Sequence, residues 1–278
     1  MKQLVGLFGH PIGHSLSPVM HNTQYERLQI PYTYHAFDVE PDRLKEAVEA
    51  IRALRLRGVN VTVPHKVDVM DYLDDIEEEA KQIGAVNTIV NDDGMLKGYN
   101  TDGRGYLLSL TERIGDDLSD KHVLVVGAGG AARAVAVSLS RHGIGQLTIA
   151  NRTVTKAEVL VDLCQGWQST EAKTIEQSEK CMDEYDIIIQ TTSVGMSPNT
   201  NEQPMSLQGI RPGVLVSDLI YNPLKTKWLQ EADNLGAEVL DGVGMFVYQG
   251  ALAIEYWTGE KPDTKLMRQQ VIESLGGK

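Results

Sequence analysis

Two rhythms of apolar residues alternate along the chain. Short β-branched runs give way to stretches in which apolar side chains return every three to four positions. The first pattern marks strands and the second amphipathic helices. Residues 4–9, 32–39 and 59–63 read as strands. After the first, Ser17-Pro18 predicts an N-cap with proline at the first helical position, opening a helix to about residue 28. Leu44, Val48, Ile51 and Leu54 predict a helix over 41–56, stopped by Gly58. Pro64 closes the third strand, and short helices are expected over 66–73 and 76–83. Residues 85–90 and 95–99 flank Asp92-Asp93-Gly94, a hairpin signal.

A second unit begins near Thr101 and Asp102 with a linking helix over 103–114. Strands follow at 122–126, 146–150, 186–190 and 214–217, with helices from the glycine-rich turn to His142 and over 154–163. This is the rhythm of a doubly wound dinucleotide-binding domain. Helical stretches at 244–257 and 263–275 bring no further strand and are expected to pack back on the first domain. The predicted architecture is α/β, with two domains. One is an N-terminal open α/β substrate domain with a largely parallel sheet, residues 1–101 plus about 241–278. The other is a Rossmann-type domain over 102–240.

Composition narrows the function. The 278 residues are 42% hydrophobic and 23% charged, enough to bury cores and to exclude disorder. No apolar run approaches the roughly 18 residues of a membrane span. The stretch before Pro11 is too short for a secretory signal. The two cysteines, Cys164 and Cys181, cannot build a disulfide framework or a four-ligand zinc site, so a reducing, cytoplasmic setting is expected. A net charge of −12 argues against general nucleic-acid binding and leaves small anionic ligands open. His10, His14 and His21 suggest a metal site, but Pro11 and Gly13 break the helix that an i, i+4 pair needs, and no metal is expected.

Candidate chemistry collects at strand ends. Gly127-Ala128-Gly129-Gly130-Ala131-Ala132 follows a strand and opens a helix. The first glycine permits the turn, the second lets backbone approach a pyrophosphate, and the helix N-terminus supplies N–H groups and positive dipole. The next strand ends in Asn151-Arg152-Thr153, with Lys156 a turn later, where an NAD site usually carries an acid. A guanidinium pairs with a 2′-phosphate that an acid would repel, so NADP is favoured. In Asn60-Val61-Thr62-Val63-Pro64-His65-Lys66, alternation puts Val61 and Val63 on one face and Asn60 and Thr62 on the other. Lys66, just past the strand, reads either as an acid/base or as one more surface lysine. Asn87 and Asp102 lie at the hairpin end and the domain junction, where Asp102 also suits a helix cap. Ser15 and Ser17 offer two hydroxyls beside a helix N-terminus, to hold a carboxylate or, for Ser17, simply to cap.

Taken together, these motifs resemble the shikimate dehydrogenase family over nearly the whole chain. The similar segments are 13–18, 60–66, 84–88, 98–102, 127–133, 151–153, 192–196, 218–223 and the helix containing Gln249. His65 stands where many members carry Phe. The resemblance implies NADP-dependent, reversible reduction of 3-dehydroshikimate to shikimate in aromatic amino-acid synthesis. It implies Lys66 as acid/base with Asp102 as partner, and Ser15 and Ser17 on the substrate carboxylate. Thr62, Lys66, Asn87, Asp102 and Gln249 would hold the ring hydroxyls, with Tyr221 nearby. Gly127, Ala128, Gly129, Gly130 and Ala131 would cradle the pyrophosphate. Asn151, Arg152, Thr153, Val154, Thr155 and Lys156 would hold the adenosine phosphate end. Leu219 and Gly242 would line the nicotinamide side, with Glu78 a further cofactor candidate. The alternative within the resemblance is a quinate/shikimate dehydrogenase with relaxed substrate or cofactor choice. The expected assembly is a monomer or homodimer.

Overall fold

The computed structural model describes residues 2–13 and 15–277; His14, in the segment carrying Ser15 and Ser17, lies outside the described residues. The chain divides into two compact units, Met1–Asp102 with Val247–Gly276, and Gly103–Phe246. The divisions fall after Asp102 and within the C-terminal helix that carries Gln249, rather than at 101 and about 241.

The first unit opens with β1 (Gln3–Gly9), α1 (Ser17–Arg27), β2 (Tyr32–Asp38), α2 (Leu44–Ala53) and β3 (Gly58–Val61). It continues with β4 (Asp75–Ile76), α3 (Glu78–Ile83), β5 (Thr88–Asp92) and β6 (Met95–Tyr99). The sheet order is β2-β1-β3-β5-β6-β4. It is mixed rather than largely parallel: β1 runs parallel to β2 and β3, but the β5–β6 hairpin is antiparallel, as is β5 on β3. The hairpin turn is where Asp92-Asp93-Gly94 placed it, with φ of 50° at Asp93 and 96° at Gly94, the left-handed pair such a turn requires.

Several expected boundaries move. The helix over 41–56 shrinks to a 3₁₀ turn at Pro41–Arg43 and then α2; Arg55, with φ of 53°, ends it. Gly58 belongs to β3, where a Cβ would lie 2.1 Å from the Ile89 carbonyl and 2.3 Å from Trp257 Nε1. β3 stops at Val61, so the alternation fails beyond it: Val61 is buried, whereas Val63 is exposed. The helix over 66–73 is only a 3₁₀ turn at Asp68–Tyr72. The strand expected at 85–90 starts at Thr88, because Val86 N–H is taken by the Lys66 carbonyl at 2.8 Å.

The second unit contains α4 (Asp102–Ile114, its first residue in the other unit), β7 (His122–Val126), α5 (Gly130–His142), β8 (Gln146–Ala150) and α6 (Val154–Leu163). It goes on through β9 (Ser169–Lys173), α7 (Ile175–Ser178), β10 (Ile187–Gln190), β11 (Leu215–Asp218), α8 (Lys227–Asn234) and β12 (Glu238–Leu240). β9 and α8 escaped the sequence reading: Ser169–Lys173 holds a single apolar residue, Ala172, and is an edge strand. The order β12-β11-β10-β7-β8-β9 is fully parallel. It reverses direction between β7 and β10, the switch point at which such sheets bind ligands. Leu124, Val126, Ile188, Val216 and Trp228 form part of its core.

Two helices close the chain, α9 (Val243–Thr258) and α10 (Thr264–Ser274). The part of α9 from Val247 onward and α10 belong to the first unit. Trp257 is buried and donates its indole N–H to the Ile89 carbonyl of β5 at 2.9 Å. Asp263 caps α10 and takes part in an ion pair with Arg27 of α1 at 3.1 Å. No helix among the described residues is long and apolar enough to cross a membrane.

Candidate active site

Beyond the carboxyl end of β3 the chain turns through Thr62 to Lys66. Thr62 N–H donates to the Phe8 carbonyl at 2.9 Å and His65 N–H to the Thr62 carbonyl at 2.9 Å. His65 is buried with its Nε2 on the Val39 carbonyl at 2.7 Å, so it anchors this turn from beneath. Lys66 Nζ then reaches Asp102 Oδ2 at 2.6 Å. The lysine side chain is 29% exposed and the aspartate 12%, so the pair faces solvent on one side only.

Asp102 is fixed by more than the lysine. Asn87 Nδ2 donates to its other oxygen at 2.9 Å, and the Asn100 side chain accepts the Asp102 backbone N–H at 3.1 Å. Asn87 is itself held: its Oδ1 accepts from Thr101 N–H at 2.8 Å, and its Nδ2 also donates to Thr101 Oγ1 at 2.9 Å. Lys66, Asn87, Asp102 and Thr62 are therefore gathered at one end of the first sheet.

Ser17 does not cap α1. The backbone is already helical at Leu16, whose carbonyl accepts the Met20 N–H, and Ser17 N–H is taken by Ser15 Oγ at 3.3 Å. Its hydroxyl lies near the buried Tyr34 phenol. Gln249 lies half-buried on α9, in the first unit. Of the histidines, His10 pairs with Asp38 at 2.8 Å, and His21 is buried against Tyr34, ring centroids 4.2 Å apart.

The glycine loop lies at the switch point of the second sheet. Gly127 has φ of 117°, and a Cβ there would lie 2.6 Å from Thr191 Oγ1, so no other residue fits. At Gly129 and Gly130 a Cβ would meet nothing within 4 Å. That open space over bare backbone at the start of the 13-residue α5 is a phosphate-sized cradle backed by unpaired N–H groups. Ala128 and Ala131 flank it, half-buried.

Past β8, Asn151 Nδ2 donates to the Thr153 carbonyl at 2.9 Å, which shapes the turn into α6. The Thr153 hydroxyl makes no capping bond. Arg152 and Lys156 are exposed, and neither is spent on an ion pair among the described residues. Val154 and Thr155 form the first turn of α6. A free cationic cluster beside the cradle suits a phosphorylated ribose.

β11 ends in the fully buried Asp218, whose carboxylate accepts from Ile220 N–H at 3.0 Å and from Thr226 Oγ1 at 2.7 Å. Burial raises its pKa to about 6. This clamp shapes the segment carrying Leu219 and Tyr221. Gly242 closes on that segment: a Cβ there would lie 2.1 Å from the Leu219 carbonyl. Tyr221 stacks on Phe246 at 4.6 Å. Glu78 is exposed in the first turn of α3, in the first unit and not in the one that carries the glycine loop. The clamp residue Asp218 was not singled out from sequence; its only signal was an acid closing a run of buried β residues.

A dinucleotide cradle at the switch point of one α/β unit, with a half-buried lysine–aspartate pair at a strand end of another, defines a two-domain nicotinamide-dependent oxidoreductase. Comparison with known proteins makes this specific. The sequence matches the substrate-binding domain of shikimate dehydrogenase over residues 7–89, shikimate/quinate 5-dehydrogenase over 109–216, and the shikimate 5′-dehydrogenase C-terminal domain over 242–272. It is 53% identical to a shikimate dehydrogenase (NADP(+)) of Geobacillus sp. strain WCH70, covering 100% of both chains. A crystal structure of a shikimate dehydrogenase with NADP+ superimposes with a TM-score of 0.92 at 42% identity, over 99% of this chain and 96% of the other. The Thermus thermophilus enzyme, in complex with NADP(H) and shikimate, gives 0.89 at 34% identity, over 98% and 99%. The chain belongs to the shikimate dehydrogenase family.

Proposed function

We propose that the protein catalyses the NADP-dependent, reversible reduction of 3-dehydroshikimate to shikimate. The observation that carries this reading is the Lys66–Asp102 pair at 2.6 Å, held at a strand end by Asn87, within a chain of this family.

The cofactor's demands fit the residues present. The open backbone at Gly129 and Gly130, with Gly127, Ala128 and Ala131, would hold the pyrophosphate. Arg152 and Lys156 would pair with the 2′-phosphate, with Asn151, Thr153, Val154 and Thr155 shaping the adenosine end. Leu219 and Gly242 would border the nicotinamide. When bound, the reduced cofactor supplies the hydride.

Ser15 and Ser17 would donate to the substrate carboxylate, while Thr62, Asn87, Gln249 and Tyr221 address the hydroxyls. As the carbonyl carbon receives hydride, its oxygen gains an electron pair. The Lys66 ammonium stabilises that charge and transfers a proton to it, ending as the neutral amine. Asp102 keeps the ammonium aimed, and Asn87 keeps Asp102 aimed. In the reverse direction neutral Lys66 accepts the hydroxyl proton.

The test crosses shikimate or quinate with NADP+ or NAD+, following absorbance of the reduced nicotinamide. Shikimate with NADP+ should give the highest kcat/KM. A preference for quinate or for NAD+ would replace this reading with the broader dehydrogenase.

A further inference from the structure

A buried polar chain runs from Tyr34 to Asp102, with its hydrogen bonds ordered in one direction along it. Tyr34 Oη donates to Asn60 Oδ1 at 2.8 Å. Asn60 Nδ2 donates to the Asn87 carbonyl at 3.3 Å and to Thr88 Oγ1 at 3.0 Å. Thr88 Oγ1 donates to Asn87 Oδ1 at 3.0 Å. Asn87 Nδ2 donates to Asp102 Oδ1 at 2.9 Å, and Lys66 holds the other oxygen.

The amide orientations are set by unambiguous neighbours. Asn60 Nδ2 faces a backbone carbonyl, which can only accept. Asn87 Oδ1 faces Thr101 N–H, which can only donate, and its Nδ2 faces a carboxylate. Thr88 therefore sits between an amide donor and an amide acceptor: it accepts from Asn60 and gives to Asn87 Oδ1 at 3.0 Å, the Thr101 hydroxyl being a longer contact at 3.4 Å. From Tyr34 through Asn60, Thr88 and Asn87, one donor of each residue leads toward Asp102. Two amides interrupt it, so it carries no proton; it is a fixed row of aligned dipoles. At its far end, burial raises the Tyr34 pKa well above the ordinary phenol value, which keeps that donor protonated.

From this geometry we infer that Thr88 is a positioning residue for the Lys66–Asp102 pair, acting through Asn87, with Tyr34 as the terminal donor that orients Asn60. The inference rests on the proposed reaction for its kinetic consequence and on geometry alone for its effect on Lys66. Thr88 is fully buried, and Tyr34 is 2% exposed. Both are buried, so they act through the side chains they hold.

The experiment compares Thr88→Val, which keeps the shape and removes the hydroxyl, with Thr88→Ser, which keeps the hydroxyl. Thr88→Val should lower kcat for shikimate about ten-fold and leave the KM for NADP+ unchanged. Thr88→Ser should recover most of that loss. In parallel, Lys66 labelling by an amine-selective reagent, read by peptide mass analysis without substrate, should be several-fold faster in Thr88→Val and near wild type in Thr88→Ser. Equal impairment in both variants would assign the effect to packing and overturn the proposal, as would wild-type kcat and labelling in both. If the wild-type protein fails to oxidise shikimate, the proposed reaction falls, and the labelling comparison still decides the role of Thr88. Should Thr88→Val not fold, Tyr34→Phe carries the test: faster Lys66 labelling supports the chain, and an unchanged rate overturns it.

Discussion

Replacing Asp102 by asparagine keeps the shape of the side chain and cannot keep its contacts. Both carboxylate oxygens accept, one from Lys66 Nζ at 2.6 Å and the other from Asn87 Nδ2 at 2.9 Å. An amide has one oxygen, so either rotamer sets its NH₂ against a donor. Asp102→Asn loses a charge-assisted hydrogen bond and leaves a buried donor facing another, together worth about 2–4 kcal/mol. The Asn87 amide is 2% exposed and has no water to turn to. Combining this change with Lys66→Met should relieve the conflict, because the amide oxygen can then face Asn87 while its NH₂ turns to the vacated, partly open side. The double variant should therefore be at least about 1 kcal/mol more stable than the sum of the single losses. Turnover should follow the same logic. Lys66→Met removes the proton donor, for a loss of about 10²–10⁴-fold in kcat; Asp102→Asn disorients it, and the pair should lose little beyond Lys66→Met alone. Denaturant melts and steady-state kinetics on the four proteins measure both cycles. Stabilities additive to within about 0.5 kcal/mol, with multiplicative losses in kcat, would refute the arrangement as a functional unit.

Arg152→Ala should raise the NADP+ KM by about ten-fold or more and leave NAD+ almost unaffected; equal losses would remove the 2′-phosphate contact. Ser15→Ala with Ser17→Ala should raise the shikimate KM and spare NADP+ affinity, and an unchanged KM would return both serines to local structural roles. His21 is buried and its pKa falls to about 3 through loss of hydration, against about 6.5 in an unfolded chain. From about pH 6.5 downward the unfolded state binds a proton the fold refuses, so stability falls by about 1.4 kcal/mol per unit, and His21→Phe should flatten that slope. Asp218 has the opposite sign. Its folded pKa of about 6 lies above the unfolded value, so its ionisation destabilises the fold above about pH 6 and the cost is relieved as pH falls from about 6 toward about 4. Asp218→Asn should remove that term, and chemical melts across about pH 4–7 would show it.

Much of the fold was legible because periodicity and burial coincide in the second unit. Four of its strands are short, largely apolar and buried, as a parallel sheet covered on both faces requires. β9 was missed because it carries Glu171 and Lys173, which are held by polar contacts instead of entering a core: Thr148 Oγ1 donates to Glu171 at 3.0 Å and Lys173 bridges the same carboxylate at 2.8 Å. In the first unit the misreading of Gly58 has another cause. Gly58 looked like a helix stop, yet what demands glycine is the approach of Trp257, near the other end of the sequence. A local pattern cannot report a contact made by a distant helix.

The same distinction separates the parts of the candidate site. Residues that would meet a ligand lie in short, chemically unusual segments: two serines before a proline, a lysine just past a strand, a glycine loop, an arginine where an acid is common. Each departs from what its element needs, and that departure is readable. Residues that hold those groups do not depart from anything. Tyr34 looks like an ordinary strand aromatic, and Thr88 like an ordinary β-branched strand residue; their hydroxyls become informative only when Asn60 and Asn87 are found on either side. Ser17 shows how the two kinds of evidence correct each other. Its sequence context suits a helix cap, but the backbone is already helical at Leu16, so its hydroxyl is not used as a cap. Tyr34 gives its only proton to Asn60 at 2.8 Å, so toward any further neighbour it can only accept.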